Sequence, residues 1–191
     1  VGPIELIVES GERRSTLECV GSNLTDDPAI AGLALNFRDV TERKTLEEQL
    51  RKLAFHDPLT LLANRSLFWN RVEHALALSQ RTTQRVAVMF LDLDNFKNVN
   101  DSLGHDAGDR LLQAAAQRLV KSTRPSDTVA RLGGDEFAIL LEGIRSETDV
   151  ERIAAPITEA FNRPLLLDGR EIESSASIGV ACSRPGDDAE Q

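Results

Sequence analysis

The feature that most constrains the fold is a Gly-Gly-Asp-Glu tetrapeptide at 133–136, which lies between two strand-forming segments. The flanking segments, 128–132 and 137–141, are short and rich in apolar residues, which favours a pair of antiparallel strands. Two consecutive glycines permit a tight turn and the close approach of a ligand. The sequence therefore predicts a β-hairpin with Asp135 and Glu136 at its tip. Taken alone, such a turn is also consistent with a solvated acidic loop.

A second acidic cluster follows an apolar run at 86–91, which is typical of a strand covered on both faces. Asp92 and Asp94 lie at the C-terminal edge of this strand, and side chains two residues apart are expected to share one face. Carboxylates at the end of a central strand, opposite a second acidic pair, form a hard-oxygen site suited to magnesium and a triphosphate. Either cluster alone is also consistent with solvated surface.

Three blocks of the chain together resemble the GGDEF family, the diguanylate cyclases, which join two GTP molecules into cyclic di-GMP and release pyrophosphate. The blocks are His56-Asp57-Pro58-Leu59-Thr60 with Asn64-Arg65, the segment 92–109, and the signature 133–137. The resemblance covers roughly residues 55 to 183. It implies GTP as substrate, cyclic di-GMP as product, Mg2+ as cofactor with Mn2+ as the alternative, and a homodimer in which two sites face each other.

The resemblance also implies roles for individual residues. It assigns catalysis to Asp135 and Glu136, metal ligation to Asp92, Asp135 and the backbone carbonyl of Leu93, and substrate binding to Lys97, Asn100, Asp109, Gly133 and Gly134. The residues leave Glu136 open between metal ligand and proton acceptor, and Asp94 open to a structural role.

Guanine recognition gives two of these positions a physical reason. Guanine presents N–H donors along one edge, so a selective pocket needs an acceptor such as the Asp109 carboxylate and an amide such as that of Asn100. Adenine would present the wrong hydrogen-bond pattern to Asp109. The alternatives are a turn residue at Asn100 and a helix-start charge at Asp109.

Arg124 and Asp127 precede the signature with the spacing R-x-x-D. Their offset matches the inhibitory site of the family, where Arg and Asp grip the product, and Arg131 is a candidate third member. A planar arginine fork suits phosphate and guanine recognition. A surface ion pair is the alternative interpretation.

The predicted fold class is α+β, with the ferredoxin-like order β-α-β-β-α-β that polymerase palms and nucleotide cyclases resemble, and a mainly antiparallel sheet. The predicted elements are, in chain order, a strand at 85–93, a helix at 106–122, the signature hairpin, a helix at 147–162, a hairpin turning at Asp168-Gly169, and a strand at 176–181. The helix at 106–122 is predicted from an apolar stripe of Leu111, Leu112, Ala115, Leu119 and Val120.

Residues 1–40 read as three strands without a helix, too few to bury a core alone, and resemble the C-terminal part of a PAS sensory domain. Residues 41–54 are predicted to form a helical linker, and residues 55–191 a GGDEF domain lacking its C-terminal end. Leu46, Leu50 and Leu53 follow coiled-coil spacing, and packing of the helix on its own domain is the alternative.

The net charge of −9 argues against nucleic acid as a partner, because a polyanion needs a basic face.

Two cysteines and no long apolar stretch predict a cytoplasmic chain, with an upstream membrane anchor left open. A phosphodiesterase domain often follows this one in the family. Leu61 departs from the glycine that the family usually has near the base pocket. The alternative function is a catalytically silent module that binds GTP or cyclic di-GMP and regulates a neighbouring domain.

Overall fold

The computed structural model describes residues 2–11, 13–82, 84–167, 170–172, 175–184 and 187, and the chain divides into two compact units, 1–53 and 54–191. Among the helices in these ranges, none is both long enough and apolar enough to cross a membrane.

The first unit contains a three-stranded antiparallel sheet and a helix. The elements are β1 (Ile4–Ser10), β2 (Arg13–Leu24), β3 (Gly32–Asp39) and α1 (Thr41–Phe55), whose last two residues belong to the second unit. One face of the sheet is apolar. The large side chains that the two outer strands place on this face are each at least 40% exposed, namely Ile4, Leu6, Val8, Leu33, Leu35 and Phe37. Among its described residues, this unit buries only Val40, as expected for three strands without a covering layer.

The predicted seam of α1 lies in solvent. Leu46, Leu50 and Leu53 are 52%, 66% and 67% exposed. Polar contacts hold the start of the helix to its own sheet: the Thr41 hydroxyl accepts the Thr16 N–H at 2.8 Å, and Lys44 pairs with Glu5 at 2.5 Å. The seam therefore remains available for pairing, and the coiled coil stays a prediction.

The second unit has the predicted ferredoxin-like core. Its elements are α2 (Arg65–Ser79), β4 (Arg85–Leu93), α3 (Phe96–Leu103), α4 (His105–Ser122), β5 (Thr128–Gly133), β6 (Glu136–Ile144), α5 (Glu147–Phe161), β7 (Leu165–Leu167), β8 (Arg170–Ile172) and β9 (Ala176–Cys182). The main sheet has the order β5-β6-β4-β9, and every neighbouring pair is antiparallel. The α+β prediction is therefore confirmed. Strands β7 and β8 pair as a hairpin, and its predicted turn at Asp168-Gly169 lies outside the described residues.

Two apolar layers enclose this sheet. One lies between the sheet and helices α4 and α5, and includes Met89, Leu91, Leu111 and Phe137. The other packs α2 on the opposite face through Phe68 and Leu140. Alternate residues of a strand face opposite sides, so β4 and β6 contribute to both layers. The predicted stripe of α4 is buried except at Val120, which is 51% exposed because it is rotated by about 100° from Leu119 and lies off the buried face of the helix.

Helices α2 and α3 were not predicted from the sequence. A readable signal for α2 is its N-cap: the Asn64 side chain accepts the Leu67 N–H at 3.0 Å and donates to the Ala54 carbonyl at 2.8 Å. Ala63 then exchanges backbone hydrogen bonds with β5, through Val129 and Arg131. This segment thereby ties the start of the second unit to the strand that leads into the signature turn.

Candidate active site

The two acidic clusters meet where β4 ends. In the pairing of β4 with β6, Asp92 lies opposite Glu136, and the Leu93 N–H donates to the Asp135 carbonyl at 3.3 Å. The turn between β5 and β6 needs its glycines, because φ is +147° at Gly133 and +53° at Gly134. The antiparallel register therefore brings Asp92 and the Asp135-Glu136 pair to one edge of the sheet.

The charges at this edge repel one another. Burial, followed by the nearby carboxylates of Asp135, Glu136 and Asp94, raises the pKa of Asp92 above its ordinary value. A cation is nearby, since Arg65 Nη2 lies 3.7 Å from Glu136 Oε2. A cavity of about 510 Å³ opens here, lined by Asp92, Glu136 and Arg65 and by an apolar wall that includes Trp69 and Phe90. The site is thus an open, acidic recess with one arginine at its rim.

Asp94 borders this recess, because its carboxylate contacts Ser177, which lines the recess. Strand β4 ends at Leu93, and the Asp94 carboxylate accepts hydrogen bonds from the hydroxyls of Ser175 at 2.5 Å and Ser177 at 2.8 Å. These hydrogen bonds, that of Ser175 first, lower the pKa of Asp94. Asp94 also lines a second cavity of about 490 Å³, and the expectation that Asp92 and Asp94 share one face stays a prediction.

Arg131 stabilises the signature turn through hydrogen bonds to its backbone. Its Nε and Nη2 donate to the Gly134 carbonyl at 3.0 and 2.7 Å, and its Nη1 donates to both carboxylate oxygens of Asp57 at 3.2 Å. Asp57 also accepts the N–H and hydroxyl of Thr60 at 2.8 and 2.6 Å. Burial raises the pKa of Asp57, but the hydrogen bonds from Thr60 and the charge of Arg131 outweigh it, so the net pKa is lowered. The block from His56 to Thr60 carries part of the family resemblance, but its sequence alone does not predict this ion pair.

The proposed base-reading and phosphate-binding residues lie on a helical hairpin. Lys97 and Asn100 belong to α3, and Asp109 belongs to α4. Within the described part of the chain, none of these three side chains forms a hydrogen bond or an ion pair, so their polar atoms remain free to meet a ligand.

The R-x-x-D residues form the turn that precedes β5. The Arg124 N–H donates to Asp127 Oδ2 at 3.0 Å, and the Asp127 N–H donates to the Arg124 carbonyl at 3.0 Å. Arg131 lies towards the other end of β5, and its guanidinium is already engaged with Asp57 and Gly134. The arrangement leaves the Arg124 guanidinium exposed, while membership of Arg131 in a product site stays a prediction.

Comparison with known proteins decides the family. The family model "Diguanylate cyclase, GGDEF domain" matches residues 54–191. The chain belongs to the GGDEF diguanylate cyclase family. The bifunctional diguanylate cyclase/cyclic di-GMP phosphodiesterase MucR of Pseudomonas aeruginosa is 45% identical over 139 residues, which are 73% of this chain and 20% of MucR.

Two solved structures show the same GGDEF domain fold. The GGDEF domain of TpbB from Pseudomonas aeruginosa is 45% identical with a TM-score of 0.64, covering 66% of this chain and 74% of that one. The coiled coil and GGDEF domain of DgcB from Caulobacter crescentus, in complex with c-di-GMP, is 28% identical with a TM-score of 0.71, covering 79% and 81%. This chain spans 20–30% of the length of the first curated relatives that it matches.

Leu61 marks a local departure of this GGDEF domain. The residue has φ +61°, in the left-handed region that favours glycine, and its side chain is 75% exposed. The turn keeps its hydrogen bonds all the same: the Leu61 N–H donates to the Asp57 carbonyl, and the Asp57 N–H donates to the Leu62 carbonyl, both at 2.9 Å. The leucine therefore preserves the turn at the cost of backbone strain.

The donor set of the GGDEF site fits Mg2+ by its chemistry. Among the residues that the structure describes, no three Asp, Glu, His or Cys side chains are gathered closely enough to hold a metal ion. Magnesium does not require such a cage, because proteins bind it through one or two carboxylates together with waters and substrate phosphates. The raised pKa of Asp92, caused by burial and by its acidic neighbours, indicates an excess of negative charge that a bound cation would offset.

Proposed function

We propose that this GGDEF domain condenses two GTP molecules into cyclic di-GMP and pyrophosphate, as part of bacterial-type second-messenger signalling. The observation that carries the proposal is the register of β4 and β6, which sets Asp92 opposite Glu136. The intact carboxylates and the membership of the cyclase family support the same conclusion.

In each of the two bond-forming steps, the 3′-oxygen of one GTP forms a bond to the α-phosphorus of the other, and the bond from that phosphorus to pyrophosphate breaks. Asp92, Asp135 and the Leu93 carbonyl would hold Mg2+, which when bound offsets charge on the phosphoryl oxygens. The Glu136 carboxylate accepts the proton of the 3′-hydroxyl or serves as a further metal ligand. Its exposed position at the start of β6, opposite the C-terminal end of β4, suits either role.

Binding of the substrate is assigned to the groups around this edge. Asn100 and Asp109 match the edge of guanine, since an amide and a carboxylate supply the acceptors and donors that the base requires. Lys97 meets the phosphates, and the Gly133-Gly134 turn allows a phosphate to approach the backbone. The triphosphate would then reach the recess that Asp92 and Glu136 line.

The active form is a homodimer, because each subunit holds one GTP and the product needs two. The exposed Leu46, Leu50 and Leu53 seam of α1 supports pairing of two linker helices. A PAS-type sensor in residues 1–40 would act by shifting these helices between two arrangements. Arg124 and Asp127 would bind the product and hold the enzyme inactive.

The test is mass-spectrometric detection of cyclic di-GMP after incubation of the chain with GTP and Mg2+. Glu136→Gln keeps the shape of the side chain but removes its charge, and Glu151→Gln on the exposed surface of α5 is the matched control. We expect product from the parent and from Glu151→Gln, and none from Glu136→Gln. Binding of GTP without product in any variant would instead support the silent regulatory module.

A further inference from the structure

The two helices that carry the proposed base-reading residues touch at a glycine. Gly108 is buried at the end of the first turn of α4, and a Cβ built on it would collide with Asn100 Oδ1 on α3. The same Cβ would lie 2.9 Å from Asn100 Cγ and 3.3 Å from Phe96 Cε2. Real Cβ atoms do not approach other heavy atoms so closely, so the Asn100 amide occupies the space that any side chain at 108 would fill.

The position is otherwise unfavourable for glycine. Glycine weakens a helix relative to alanine, and it is needed for backbone reasons only where φ is positive. Gly108 lies within α4, and φ is not positive there, unlike at Gly104 between the helices, where φ is +85°. Packing against α3 is therefore the reason for glycine at this position.

The Asn100 amide is half-buried against α4 and, within the described residues, forms no hydrogen bond of its own. Its position thus depends on the packing space at Gly108 and not on a polar partner in the protein. Asp109 is the next residue after Gly108, so the contact sets Asn100 against the same turn of α4 that carries Asp109.

We propose that Gly108 is a specificity-determining residue of the nucleotide site: its missing side chain lets the Asn100 amide lie against α4, where it reads one guanine together with Asp109. This inference rests on the proposed function, because it takes guanine as the base. Gly108 touches no reacting atom, and it acts by positioning Asn100.

Any side chain at 108 should displace the Asn100 amide. We expect Gly108→Ala to weaken binding of GTP about tenfold, as much as Asn100→Ala does, which corresponds to the loss of about one or two hydrogen bonds. The ratio of GTP affinity to ATP affinity should fall by a similar factor, because adenine does not use the same contacts.

A double-mutant cycle tests the mechanism, since only coupled positions give non-additive effects. Gly108→Ala, Asn100→Ala and the double variant are titrated by calorimetry with GTP carrying a methylene bridge between its α- and β-phosphorus, which cannot release pyrophosphate. The ATP counterpart serves as the selectivity probe. Asn98→Ala is the matched control, because Asn98 is an exposed asparagine of the same helix.

In the Asn100→Ala background the collision with the amide disappears and only the contact with Phe96 Cε2 at 3.3 Å remains, so Gly108→Ala should cause no further loss of affinity. In the Asn98→Ala background it should still cost about tenfold. The temperature of unfolding should follow the same pattern, with Gly108→Ala lowering it in the parent and not in Asn100→Ala.

Additive losses, or an unchanged affinity in Gly108→Ala when the parent binds the GTP analogue, would overturn the role of Gly108 alone. No binding by the parent chain would refute the proposed function and the inference together. The unfolding temperatures would then show whether the packing of Gly108 against Asn100 survives as a structural contact.

Discussion

The carboxylate of Asp57 and the guanidinium of Arg131 form an ion pair at 3.2 Å across a sequence separation of 74 residues. Both side chains are largely shielded from solvent, with exposures of 17% and 13%. Because Arg131 also donates to the Gly134 carbonyl, the pair connects the turn at 57–61 to the signature hairpin. The position of Asp135 and Glu136 therefore depends on a residue far outside the signature.

Arg131→Lys should reduce turnover of GTP more than its binding. A lysine ammonium cannot span both the Asp57 carboxylate and the Gly134 carbonyl as the planar guanidinium does. We expect kcat to fall at least about tenfold, since small misplacements of catalytic groups are costly, with KM within about threefold of the parent. Initial rates of cyclic di-GMP formation measure both constants.

Arg145→Lys is the control for this variant, because Arg145 is an exposed arginine just beyond β6. If Arg131→Lys raised KM without lowering kcat, Arg131 would act on substrate binding and not on the placement of the turn.

Asp57→Asn should lower the stability of the second unit in a pH-dependent manner. The lowered pKa of Asp57 means that its contribution is fully present above the unfolded value of about 3.9 and is lost as the pH falls through the folded pKa. We expect a deficit of about 1–3 kcal/mol at pH 7, typical of hydrogen bonds to a charged group. Urea unfolding between pH 3 and pH 7 measures the difference.

The stabilities of the parent and Asp57→Asn should approach each other as the pH falls below the unfolded value of about 3.9, and the difference should vanish only below the lowered pKa of folded Asp57. Asp101→Asn, which changes an exposed aspartate of α3, should show no such convergence. A deficit that is constant over the whole range would contradict the assignment to the ionised form.

Leu61→Gly should stabilise the protein. The left-handed conformation costs a leucine about 1–2 kcal/mol, which glycine would avoid. Part of this gain is offset, because glycine increases the conformational entropy of the unfolded chain. Because the side chain is 75% exposed, little apolar burial is lost, and we expect a net gain of about 0.5–1 kcal/mol. Denaturant unfolding checks the sign.

Val120→Gly is the control at a half-exposed site within a helix. It should lower the free energy of unfolding by about 1 kcal/mol, because glycine is unfavourable in a helix. If Leu61→Gly destabilised the chain by a similar amount, the strain at Leu61 would be refuted.

Asp92→Asn and Asp94→Asn should differ in their effect on metal binding. The proposed ligand is Asp92, whereas the Asp94 carboxylate is occupied by Ser175 and Ser177. With GTP present, Asp92→Asn should weaken the binding of Mn2+ at least about tenfold. Asp94→Asn should cause a smaller loss, because it removes only a nearby charge. Electron paramagnetic resonance of Mn2+ measures both, and a larger effect at Asp94 would reverse the assignment.

Local patterns in the sequence predicted the elements whose burial follows one simple period. Val150, Ile153, Ile157 and Phe161 predicted the buried face of α5, and all four are buried. Helices α2 and α3 were missed. In α2, only Phe68, Val72, Ala75 and Leu76 are buried and large apolar side chains also lie on the exposed side, while α3 buries no residue fully. Apolar residues on both sides of α2 obscure its helical period, and α3, with eight residues, is shorter than the window of about 11–18 residues in which a period can be read.

The sequence by itself determined the family, the fold class and the set of candidate carboxylates, because motif spacing and hydrophobic period are local properties. Only the tertiary structure decided which groups meet. Strand register sets Asp92 opposite Glu136, and Asp94 accepts a hydrogen bond from Ser175. Arg131 forms an ion pair with Asp57, and Asn100 packs against Gly108. All of these contacts except that of Asn100 with Gly108 join residues distant in the chain, and their geometry follows from how the sheet and helices pack, which no local pattern encodes.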